Sequence, residues 1–169
     1  MKALSKEIDM RRLSLFIAGL LTATTVSAEQ APTISIKRLS LETATTIAQG
    51  AIKACRDKGV QIGVTVVDRN GIEQVVLRDT LAPTITLPIS KGKAVAVANF
   101  SVATSELKDR ANSPNGRAPG LVMSTGGIPH QAGGSLVGAV GVSGAPSGLT
   151  DAECAQAVID AVIDDLVMV

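Results

Sequence analysis

The chain has 169 residues, a formal charge of +1, 46% hydrophobic residues, and two phenylalanines as its only aromatics. That length suits one domain. With no basic cluster and almost nothing to stack on a base, nucleic acid is excluded as an expected partner.

Residues 1–28 read as an export signal. Arg11-Arg12 gives a basic lead, Leu13 to Val26 is apolar, and Val26-Ser27-Ala28 offers small side chains to a signal peptidase. The apolar stretch is short of the roughly 20 residues that span a bilayer. The expected mature domain is therefore 29–169, periplasmic or secreted, with no transmembrane anchor after cleavage. Cleavage removes four basic and two acidic groups, leaving 12 against 13 and a net charge of −1.

A first helix is expected from Ser40 to about Lys58, on the stripe Leu41, Ala44, Ala48, Ala51, Ile52 and Cys55, with Gly59 as its stop. Gln61 to Asp68 alternates as a strand, and Asn70-Gly71 turns it into a second one, Ile72 to Arg78. After the proline-marked stretch 79–88, a helix is expected from Ile89 to Ser101, weakened by Gly92. Thr104 is placed to cap a short helix ending at Arg110. Asn112 to Gly127 reads as a long loop of the kind that covers or lines a site.

The stretch Gly126 to Pro146 predicts a second hairpin, turning at Gly133-Gly134, with a strand whose two faces differ. Leu136, Val140 and Val142 share one face with Gly138 and Gly144, while Val137, Ala139, Gly141 and Ser143 share the other. So thin a face lets a helix, another subunit or a flat ligand approach closely. A last helix is expected to open on the capping box Thr150-Asp151-Ala152-Glu153 and to bury Ala155, Val158, Ile159, Val162, Ile163 and Leu166. The order helix, hairpin, helices, hairpin, helix gives an α/β fold with one antiparallel sheet flanked by helices.

Cys55 and Cys154 survive processing. They form either a disulfide, as an oxidising compartment favours, or two separate buried thiols; spacing alone leaves both open. His130 is the only histidine, and a neutral imidazole is a common ligand for haem iron, but one histidine cannot build a structural metal cage. The Gly126-Gly127 amides could hold a carboxylate. Neither a dinucleotide nor a Walker glycine motif is present, and Ser143 lacks the strand-to-helix elbow of a hydrolase.

Gly126-Gly127-Ile128-Pro129, the Gly133-Gly134 turn, the strand Gly138-Ala139-Val140-Gly141-Val142-Ser143-Gly144-Ala145 and Asp151 together resemble the GlcG/HbpS-type haem-binding family, which includes the PduO C-terminal domain type. Val66-Val67-Asp68, Lys93-Ala94 and Thr104 with Glu106-Leu107 also fall on its pattern, and the resemblance spans about residues 39–166. His130 and Gln131-Ala132 depart from it.

The resemblance implies a profilin-like antiparallel sheet of about five strands flanked by helices, with assembly into a homo-oligomer. It implies haem as cofactor or ligand, and Lys93 as a partner for a haem propionate or a small acid. The expected function is an exported small-molecule, haem-binding protein in haem handling or extracytoplasmic sensing, with a sensor or transport partner. The alternative is a small enzyme acting on an organic acid, in which Lys93, Gly126 and Gly127 grip a carboxylate and His130 moves a proton. The expected ligand-binding residues are thus Lys93, Gly126, Gly127 and His130, with His130 as the metal ligand.

Overall fold

The computed structural model describes residues 31–167; the expected export signal lies outside the described residues. Helix α1 is Leu41–Asp57, and the hairpin β1 Gly63–Asp68 and β2 Glu73–Arg78 follows. Helix α2, Thr86–Phe100, leads through a 3-10 turn at Thr104–Leu107 into the one-turn helix α3, Lys108–Ala111. A second 3-10 turn, Pro114–Arg117, breaks the long loop before β3 Gly127–Ala132, β4 Ser135–Ser143 and helix α4 Gly148–Val167. The strands form one antiparallel sheet in the order β2-β1-β4-β3, so four strands stand among the described residues where about five were expected.

Local chemistry sets most of these bounds. Ser40 caps α1 by accepting from the Thr43 amide at 3.1 Å. Helix α2 starts three residues earlier than periodicity suggests, because Pro88 falls in its first turn, where its missing N–H costs nothing. Two expected caps are corrected. The Thr104 hydroxyl accepts instead from the Gly127 amide, 23 residues away. Helix α4 opens before Thr150: the Ser147 hydroxyl accepts from the Leu149 amide, Asp151 accepts from the Ala145 amide, and Glu153 pairs with Lys58.

Helices cover both faces of the sheet. On one side α1 and α4 pack Ala44, Ile47, Ala51, Ala155 and Val158 over Val64, Val66, Val140 and Val142. Cys55 and Cys154 are joined there, with Cα atoms 5.4 Å apart, tying α1 to α4. On the other side α2 lays Ala94 and Val97 on Val67 and Ala139, and the Thr65 and Ser90 hydroxyls bond at 2.9 Å beneath it.

That second layer decides what the thin face of β4 is for. A Cβ on Gly141 would come 2.0 Å from the Ser90 carbonyl oxygen and 2.7 Å from the Ala94 amide nitrogen. The chain's own helix α2 therefore fills the face, not a neighbouring subunit or a flat ligand, because backbone can approach backbone only where no side chain intervenes. We expect Gly141→Ala to push α2 off the sheet and cost about 3 kcal/mol in denaturant unfolding, at the upper end for overpacking. An unchanged denaturation midpoint would contradict this packing.

Candidate functional site

Strand β3 is an edge strand, paired only with β4, and its ladder slips between His130 and Gln131. Alongside it runs a groove of about 440 Å³, within the usual range for small-molecule sites. Its walls are apolar: Ile128 and Pro129 from β3, Ile159 from α4, and Val102 and Ala103 from the turn after α2. Gln131, Gln156, Glu106 and Ser101 supply polar groups around them. Another depression, under the 112–121 loop, has the same volume. Of the two, the groove at β3 adjoins the one histidine, and that position singles it out.

His130 sits between two groove-lining residues yet is itself fully buried, and neither ring nitrogen has a hydrogen-bond partner among the described residues. A buried polar atom left unpaired costs about 1–3 kcal/mol, so such a ring is unusual in a folded core. Burial disfavours the charged form and pushes its pKa down to about 4. The imidazole is therefore neutral at physiological pH.

A pH dependence follows. The unfolded chain takes up a proton near pH 6.5 while the folded one resists until about pH 4, so acidification favours unfolding across that window. We expect His130 to remove about 2–3 kcal/mol of stability between pH 7.5 and 4.5. Urea unfolding of wild type and His130→Leu at both pH values checks this; equal losses in the two proteins would refute it.

The remaining predicted residues form a separate, interior cluster. Lys93 is buried, and its Nζ donates to the Asp151 carboxylate and to the Val142 carbonyl, both at 2.8 Å. Burial, the largest influence, pushes the Asp151 pKa up, against the lowering effect of Lys93 and the Ala145 amide. Gly126 has φ +127°, and a Cβ there would sit 2.6 Å from Lys93 Nζ, so only glycine suits the position. Its carbonyl accepts from Val142, and the Gly127 amide is taken by Thr104. The carboxylate that Lys93 meets is thus the chain's own.

Reasoning from sequence did not single out Glu106, Gln156 or Ile159 as site residues, nor Asp151 as the partner of Lys93. Ile159 was legible only as core, and nothing in the local pattern marks the exposed Gln156. Among the described residues no group of three or more His, Cys, Asp or Glu could hold a metal ion, and no helix is long and apolar enough to cross a membrane.

The family described as haem degrading protein, HbpS-like, matches residues 39–160. The chain belongs to the HbpS-like family. Among solved structures, this HbpS-like chain is similar to a double mutant of HbpS from Streptomyces reticuli, at 34% identity and TM-score 0.74, over 83% of this chain and 97% of that one. It is also similar to the PduOC–haem complex, at 27% identity and TM-score 0.68, over 73% of this chain and 94% of the other. Klebsiella pneumoniae ORFY, at 23% identity and TM-score 0.72 over 79% and 96%, shares the fold. Comparison with curated proteins finds no match.

Proposed function

We propose that this HbpS-like chain is an exported haem-binding protein, acting in haem handling or as the extracytoplasmic member of a sensing system. The observation that carries the reading is the apolar groove on the β3 edge, next to a buried imidazole whose two nitrogens have no partner among the described residues. These residues suit haem. Ile128, Pro129 and Ile159 would pack on the flat ring, and Gln131, Gln156 and Ser101 would meet its carboxylates. When bound, haem supplies an iron that takes a further ligand and changes oxidation state. A relative solved with haem supports the same reading.

The alternative enzyme on an organic acid loses its carboxylate grip, because Lys93 and the Gly127 amide are already engaged inside the protein. Export is supported by the signal-like residues 1–28 and by the Cys55–Cys154 bridge, since disulfides persist in oxidising compartments. Exposed Leu81 and Ile85, on the connection into α2, support self-association into a homo-oligomer.

Titration of the purified protein with haem tests the reading. The wild type is expected to shift the Soret band at micromolar haem. Gln131→Glu with Gln156→Glu, both at exposed positions, places like charge against the haem carboxylates and is expected to weaken binding at least about tenfold, a 1.4 kcal/mol loss. No Soret shift in the wild type would end the haem reading. Steady bleaching of the bound band under reductant and dioxygen would extend it to degradation.

A further inference from the structure

Three features converge on His130. The β3–β4 ladder breaks beside His130, which pairs with Gly138 while Gln131 pairs with Leu136, so the extra residue is Val137 on β4 and regular pairing of β3 is interrupted at the imidazole. Pro129 and Gln131 line the groove, while the imidazole between them is shut away with both nitrogens unused. Strand alternation puts His130 on the face of Ile128, a residue that packs against the α1–α4 core and also lines the groove. The ring therefore lies one strand position from the groove wall, on an edge strand bonded to a single neighbour, three residues before Gly133 of the Gly133-Gly134 turn.

We propose that His130 is a cryptic axial ligand for haem iron. When the ring seats in the groove, edge strand β3 gives way beside the break in its ladder, the imidazole turns outward, and one ring nitrogen donates its lone pair to the iron in place of a solvent molecule. The other nitrogen keeps its hydrogen, so no proton is exchanged with a ring that is already neutral. The closed arrangement leaves two polar atoms without partners, and ligation satisfies one of them. That gives haem a differential interaction with the open state, as any ligand-driven change of conformation requires. Because the closed state competes, apparent affinity falls by the fraction of chains that are closed.

This inference rests on the haem-binding reading, and one set of measurements separates the two. Because the chain has a single histidine, protein made without a histidine tag and labelled with ¹⁵N-histidine reports on His130 alone. Resonance Raman spectra of the ferrous haem complex are expected to show an iron–imidazole stretching band that moves on labelling. The band should vanish in His130→Ala and return when free imidazole is added, while the Soret shift of the variant persists with affinity reduced at least tenfold.

A wild-type complex with a shifted Soret band but no label-sensitive iron–nitrogen band overturns the ligand assignment and leaves the haem reading intact. Absence of any Soret shift overturns both. Should His130→Ala fail to fold, as circular dichroism would show, the labelled wild type decides by itself.

Discussion

Replacing Cys55 and Cys154 together by alanine is expected to cost about 4–5 kcal/mol and to lower the melting temperature by roughly 10–20 °C. The bridge closes a loop with a sequence separation of 99 residues, tying the first helix to the last, and the loop entropy it removes from the unfolded chain grows with that length. Typical domains hold only about 5–15 kcal/mol in reserve, so the loss is a large fraction of the total. Both sulfurs are also fully buried between α1 and α4, where their removal leaves small cavities. Thermal denaturation with and without reductant checks the expectation. Reductant should bring the wild type close to the variant and leave the variant unmoved; a variant melting within a few degrees of the oxidised wild type would contradict it.

Lys93→Met is expected to cost about 3–5 kcal/mol, because it strands the Asp151 carboxylate in the interior without its cation. The pH dependence gives this prediction its signature. With Lys93 gone, only the Ala145 amide still opposes burial, and the Asp151 carboxyl rises further above its unfolded value. A carboxyl whose folded pKa is raised stabilises the fold at low pH and loses that contribution as pH rises. Lys93→Met should therefore lie closer to wild type at pH 5 than at pH 8 in urea unfolding. Adding Asp151→Leu should recover part of the loss, since replacing both members of a buried pair by apolar groups is far less costly than removing one. A single variant with unchanged stability at pH 8 would show that the pair is not buried as described.

The pair also explains why Lys93 was open to misreading from sequence. A lysine inside a helix, aligned with a ligand-binding position, suggests a group waiting for a carboxylate. Its distance along the chain from Asp151 is 58 residues, and no local pattern links the two. The same holds for Gly126, where Lys93 and Asp151, both distant in sequence, would press on any Cβ in addition to the positive φ. Thr104, read as a helix cap, turned out to serve the Gly127 amide across the fold. In each case a short-range role was legible and a long-range partner took the group.

The groove lay even further beyond reach. Its residues come from the turn after α2, from β3 and from α4, and only packing gathers them. His130 could be flagged as the sole imidazole, yet not as buried or unpartnered.

Sequence by itself determined the α/β class, both glycine-turned hairpins and the HbpS-like family, because these depend on residue type and spacing within one element or its neighbours. Tertiary structure alone decided that α2 fills the thin face of β4, that Cys55 meets Cys154, that Lys93 is paired with Asp151, and that an open groove flanks a closed histidine. Those outcomes hang on distances between segments dozens of residues apart, which side-chain periodicity does not encode and close packing of the layers sets.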